Sequence, residues 1–177
     1  QLENTSVVQA IIKEGELADS IDVGDEAIVV LAQSSFYGES GGQVGDNGIL
    51  SNQTANFKVN NTQKQKSGAF EHHGMLNSGT LKVGDVIEAS VDKNRRKRIA
   101  RNHSATHLLH AALRSVLGET VTQKGSLVDG DKLRFDFSHD EVISKADLDK
   151  IEGMVNRKIL GNTKVYTDVT DIETAKK

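Results

Sequence analysis

The stretch KNRRKRIARNHSATHLLHAALRSVL, Lys93 to Leu117, decides how the chain is organised. It contains no Gly, and Ala105, Leu109, Ala112, Leu113 and Val116 fall on one side at about 100° per residue, so it reads as one long amphipathic helix ended by Gly118. With His103 at 0°, His107 lies at about 40°, His110 at about 340° and Arg114 at about 20°, while the apolar stripe centres near 220°. The histidines are therefore expected to face away from the core, with Thr106 beside them near 300°.

Upstream, the pattern is different. Val7 to Lys13, Ala27 to Gln33, Ile49 to Val59, Ala69 to Leu76 and Val86 to Val91 are β-branched or alternating runs. Between them lie Gly24-Asp25, Gly45-Asp46-Asn47-Gly48, Asn77-Ser78-Gly79 and Gly84-Asp85, which supply turn positions. Short strands at this spacing predict a small closed or nearly closed β-barrel over residues 1–92, with no convincing internal repeat. Downstream, Val121 to Val128 and Lys132 to Ser138 flank Asp129-Gly130-Asp131 as a hairpin, with Leu133, Phe135 and Phe137 alternating on its buried face. Ser144 caps a second helix that runs to Gly161 and covers the hairpin; Thr163 to Val169 reads as a further strand, and residues 170–173 begin another helix. The fold class is α+β: an N-terminal barrel over 1–92, then an α+β core over 93–177 whose long helix packs on an antiparallel sheet.

Charge follows the same division. Residues 1–92 hold 5 Lys/Arg against 13 Asp/Glu, residues 93–134 hold 10 against 3, and residues 135–177 hold 7 against 9. A pI near 6.1 would argue against a polyanion partner, yet Lys93, Arg95, Arg96, Lys97, Arg98 and Arg101 sit within nine positions. The run suits phosphate neutralisation, with a solvated helix face as the bland alternative. Aromatics are only 4% of the chain, so base stacking is not expected to dominate.

Two motifs carry chemistry. His103 and His107, at i and i+4 on a polar face, can each present a ring nitrogen to one cation; the alternative is a His-rich solvated face. In Phe36-Tyr37-Gly38-Glu39-Ser40-Gly41-Gly42-Gln43-Val44-Gly45-Asp46, three glycines in five residues allow a close backbone approach, and the Gln43 amide offers both donor and acceptor to a water or a sugar hydroxyl. Such a segment is also an ordinary strand connection.

These two motifs, together with Gln123-Lys124-Gly125-Ser126-Leu127-Val128 and Leu133-Arg134-Phe135-Asp136-Phe137-Ser138-His139, resemble in order and spacing the editing region of bacterial alanyl-tRNA synthetases. The HxxxH helix and the Gly-Gly-Gln loop are shared more loosely with free-standing alanyl-tRNA deacylases and the threonyl-tRNA synthetase editing domain. The resemblance implies hydrolysis of the ester of tRNA(Ala) mischarged with serine or glycine. It implies a zinc ion held by His103 and His107 and by a Cys-xxx-His pair further along. The chain has no Cys, so those remaining ligands would lie outside it and the zinc site would be partial. Gln43, Thr106, His103 and His107 become the candidate catalytic residues. Gly41, Gly42, Arg95, Arg96, Arg98, Arg101, Arg114 and Lys124 become the candidate substrate and tRNA contacts. The expected partners are the acceptor end of tRNA(Ala) and the rest of a parent synthetase, whose aminoacylation domain would use the ATP.

Thr106 is the candidate for contacting the serine hydroxyl, because a site that hydrogen-bonds a hydroxyl rejects a substrate lacking it. Its plain alternative is a hydroxyl bonded to the carbonyl one turn back. Two competing functions stay open: a tRNA-binding module without catalysis, and an unrelated metallohydrolase using His103, His107 and His110 with a carboxylate such as Glu39. The absence of Cys excludes disulfides and thiolate nucleophiles within the chain, and no apolar run approaches the roughly 18–20 residues of a membrane span. A cytoplasmic fragment ending inside its parent's structure is the expectation.

Overall fold

Alternation along the first strand already sets the barrel. In β1 (Glu3–Lys13), Ser6, Val8 and Ile11 turn inward, and a register irregularity between Val8 and Ala10 bends the strand into a corner. The computed structural model describes residues 1–166 and 169–175. The strands that follow are β2 (Glu16–Ala18), β3 (Ser20–Asp22), β4 (Glu26–Leu31), β5 (Gly48–Ser51), β6 (Asn56–Lys64), β7 (Phe70–Ser78), β8 (Thr80–Lys82) and β9 (Val86–Val91). All pairings are antiparallel. The order β1-β4-β7-β6-β5-β9 closes because the first half of β1 pairs with β9 and the second half with β4; β2 extends β1 as a short hairpin. Closure leaves few free sheet edges, and Ile11, Val29, Leu50, Phe57, Leu76 and Ala89 fill the interior, each fully buried. Burying each of the larger ones contributes about 1.5–3 kcal/mol.

The run expected as one strand over Ile49 to Val59 is two, β5 and β6. The Asn52 side-chain Oδ1 accepts from the backbone N–H of Thr54 (2.9 Å) and Ala55 (2.8 Å), an Asx turn that reverses the chain inside the apolar run.

The barrel also contains a repeat that sequence reading does not find. Ser20-Ile21-Asp22-Val23-Gly24-Asp25 and Thr80-Leu81-Lys82-Val83-Gly84-Asp85 adopt the same structure. Gly24 and Gly84 have φ of 90° and 91°, and the Asp25 and Asp85 carboxylates accept from the N–H of the residue three earlier at 3.0 and 2.9 Å. The two copies pair with each other, Ile21 opposite Leu81, as a two-stranded ribbon across the barrel. Only three positions are identical, too few to stand out from ordinary turn chemistry.

Asp92 accepts from the N–H groups of Asn94 and Arg95 and so starts α1 (Lys93–Leu117); Gly118 ends it. The hairpin β10 (Gln123–Val128) and β11 (Leu133–Phe137) packs on α1, and α2 (Lys145–Leu160), capped by Ser144, packs beside it. Ala112, Leu113, Val121 and Ile151 form the buried centre of this layer, with Leu109, Phe135 and Phe137 around them. The short α3 (Ile172–Ala175) begins where a helix start was expected. Residues 163–166 and 169 form no strand, because nothing among the described residues offers them a ladder; residues 167 and 168 of that expected strand lie outside the described residues. The architecture is α+β. No helix among the described residues is long and apolar enough to cross a membrane.

Candidate functional site

The Gly-Gly-Gln loop reaches the histidine helix because it is held from both sides. On one side it docks on β10: Val44 N–H donates to Val128 O (3.1 Å) and Val128 N–H donates to Gly42 O (2.8 Å), so the loop forms a parallel bridge beside the hairpin. Gly42 has φ 83°, and a Cβ there would lie 2.4 Å from Ser126 Oγ and 2.5 Å from Ser126 O, so only glycine lets the two backbones approach. On the other side, Asp46 is 1% exposed and its carboxylate accepts from Tyr37 N–H (2.7 Å) and from Arg96 Nε (2.9 and 3.0 Å) and Nη2. Arg96 Nη2 also donates to Ser35 O at 3.2 Å, and Arg95 Nη1 donates to Gly45 O at 2.8 Å. The hydrogen bond with Asp46 holds the Arg96 proton more tightly than usual, against the opposing effect of burial. The first turn of α1 is thereby latched to the barrel.

This clamp places Gln43 Oε1 2.8 Å from His103 Nδ1. A carbonyl oxygen accepts only, so Nδ1 is the donor in this contact and Nε2 is the nitrogen turned away from Gln43. That Nε2 faces His107 Nε2 at 3.1 Å, with ring centroids 4.9 Å apart and both rings exposed. Two nitrogens bound to one tetrahedral ion at about 2.0–2.1 Å stand about 3.3 Å apart, so the pair is spaced to share a cation with little movement. The Gln43 contact holds the His103 ring in one orientation.

The other residues singled out from sequence divide. Thr106 is 8% exposed and its Oγ1 donates to Asn102 O at 2.8 Å, the bond to the preceding turn. His110 is not on the exposed face with the other two: the hairpin covers that flank, its ring lies 5.1 Å from Phe135, and its Nε2 is buried without a partner among the described residues. Among the described residues no three His, Asp or Glu side chains converge, so the trio of His103, His107 and His110 with Glu39 does not assemble. Arg95 and Arg96 are committed to the latch. Arg98 stands 3.8 Å from Asp131 while half-exposed, and Arg101, Arg114 and Lys124 are exposed. Gln123 and Ser126 of the hairpin motif also lie near the site, which the sequence pattern alone does not indicate. Gln123 Nε2 lies 3.4 Å from Ser126 Oγ, which meets Gly41 O at 3.5 Å, so both stand beside the loop. The bulge between Gln123 and Gly125, which aligns them, leaves no mark in the sequence pattern.

The family model for tRNA synthetases class II (A) matches residues 1–95. The alanine–tRNA ligase of Ruthia magnifica subsp. Calyptogena magnifica is 71% identical over all 177 residues, and that of Vesicomyosocius okutanii subsp. Calyptogena okutanii (strain HA) is 70% identical over the same span. The chain spans about a fifth of the length of these curated relatives, 20% of each. With a family match over residues 1–95, more than half its length, the chain belongs to the class II (A) tRNA synthetase family.

Proposed function

We propose that this chain is the editing region of an alanine–tRNA ligase, in which a barrel domain over 1–92 and an editing core over 93–177 hydrolyse the ester of tRNA(Ala) mischarged with serine or glycine. The observation that carries the reading is the Gln43 Oε1 contact to His103 Nδ1, which aims His103 Nε2 at His107 Nε2. The spacing of the two nitrogens fits zinc, with His103 and His107 as two ligands and the rest supplied from outside this chain. When bound, zinc would supply Lewis-acid polarisation at the ester.

The remaining work falls to the chain's own groups. Gln43 holds the His103 proton at Nδ1 and keeps the ring from turning. Thr106 donates its proton to Asn102 O, which leaves its oxygen lone pairs to accept from the hydroxyl of a misattached serine; alanine has no hydroxyl to offer. Gly41 and Gly42 bring loop backbone close to the substrate. Arg98, Arg101, Arg114 and Lys124 are the side chains left to neutralise tRNA phosphates, while Arg95 and Arg96 act indirectly by holding the loop. ATP serves the aminoacylation part of the parent enzyme, and the setting is the cytoplasm.

In the full-length synthetase, Gln43→Ala should lower zinc affinity about 10- to 100-fold and slow hydrolysis of Ser-tRNA, with alanine attachment unaffected. Unchanged zinc content and unchanged hydrolysis would refute the assignment. A tRNA-binding module without catalysis is the second reading, favoured by the convergence of only two imidazoles among the described residues. It requires that the same variant leave hydrolysis intact.

A further inference from the structure

The chain has 5 Phe, 2 Tyr and no Trp, yet three of these rings border one cavity of about 490 Å³ on the barrel side of the Gly-Gly-Gln loop. Phe36 is its buried floor, and Tyr37 and Phe70 are half-buried walls. Lys64 Nζ lies 5.6 Å from the Phe70 ring centroid, over its face. Ser35 lines the same cavity, and its hydroxyl oxygen is buried beneath the surface without a hydrogen-bond partner among the described residues, which costs free energy unless a rotated hydroxyl meets something entering the cavity. The charge is local as well: residues 1–92 contain only five basic side chains, and Lys64 and Lys66 place two of them at the β6–β7 turn.

The cavity is joined to the histidine pair by the loop. Tyr37 OH donates to Ser40 O at 3.2 Å, and Ser40 exchanges backbone hydrogen bonds with Gln43 at 3.1 and 3.0 Å. A ligand in the cavity and one at His103 would therefore touch opposite sides of the same few residues. Aromatic walls with a flexible ammonium at the mouth and a spare hydroxyl inside match an unpaired nucleotide: any base offers a π-face, its phosphate offers the anion, and its edge or ribose offers the hydrogen bond. The volume suits a ligand of that size.

We propose that this groove binds a single-stranded nucleotide, its base stacked between Phe70 and Tyr37, its phosphate on Lys64, and the Ser35 hydroxyl satisfied by its edge or sugar. The ammonium that covers Phe70 moves aside to meet the phosphate. That the nucleotide belongs to a tRNA acceptor end rests on the editing reading; that the groove takes a nucleotide does not.

The test titrates the 177-residue chain with a fluorescein-labelled single-stranded RNA octamer ending in CCA, and with a blunt RNA duplex of equal length. Phe70→Ala should raise the octamer Kd about 5- to 150-fold and leave the duplex Kd unchanged. Lys64→Gln, an exposed change that cannot perturb the core, should lower the log–log salt slope for the octamer by about 0.7. Octamer binding indifferent to both substitutions, or equal losses for duplex and octamer, would overturn the proposal and leave the groove to a protein contact or to none. If Gln43→Ala leaves hydrolysis intact, the editing reading fails while the octamer titration still decides the groove.

Discussion

His72 is fully buried inside the barrel, where its Nδ1–H donates to Val29 O at 2.9 Å and its Nε2 accepts from Ser34 Oγ at 2.7 Å; the Ser34 oxygen in turn accepts from Phe36 N–H at 3.1 Å. Both ring nitrogens are satisfied only in the neutral form. Burial pushes the imidazole down from 6.5 to about 4, the Val29 carbonyl opposing it and His73 adding a smaller push downward. Between those two values the unfolded chain holds a proton that the native chain lacks, so stability falls as pH drops from about 6.5 toward 4 and is full above that window. The slope rises to about 1.4 kcal/mol per pH unit within that window, which integrates to roughly 1.6 kcal/mol between pH 6.5 and 5. Urea unfolding of the native chain and of His72→Gln at those two pH values should differ by that amount; parallel pH dependences would show that His72 takes up its proton in the native state. The signal was legible, since counting back by twos from the buried Leu76 puts His72 on the core face of β7.

At the scale of elements, α1 does two jobs that its sequence runs together. Its exposed arginines and the two that latch the barrel occupy one continuous basic run, and nothing in that run tells them apart. What separates them is Asp46, fifty positions away from Arg96, and a contact of that separation is invisible to local pattern. The helix and its limits were legible, because 3.6-residue periodicity over a Gly-free run is a local signal. Removing one partner from a buried, hydrogen-bonded ion pair strands the other charge. Arg96→Ala should therefore destabilise the chain by about 3 kcal/mol, the low end for such pairs because the guanidinium is partly exposed, whereas Arg101→Ala should stay within about 0.5 kcal/mol. Chemical unfolding of both variants checks this, and equal effects would mean that the latch is no stronger than a surface pair.

The whole molecule is unevenly built. Among the described residues, sixteen buried apolar side chains form the barrel core, against four at the centre of the layer made by α1, α2 and the hairpin. The barrel was legible as a closed or nearly closed one because alternation and turn residues are local, but the way it closes was not, since β1 must bend at Val8 to serve two neighbours at once. The candidate site straddles the two parts: Gln43 comes from a loop anchored in the barrel by Asp46, while His103 and His107 come from the helix. Its geometry therefore depends on the smaller layer staying docked, even though that layer has less apolar contact to hold it. Opening free energy should follow buried contact. Amides of β4, β6 and β7 should exchange slowest, by global unfolding, and those of α2 and the hairpin faster, by partial opening. Ile151→Ala, which empties the centre of the small layer at a cost of about 2–4 kcal/mol, should speed exchange in α2, β10 and β11 by roughly 30- to 1000-fold. Barrel amides should be unchanged, because Ile151 touches none of their core. Acceleration spread evenly over the barrel would mean that both layers unfold as one unit, and that the latch between Asp46 and Arg96 couples them more strongly than their separate cores suggest.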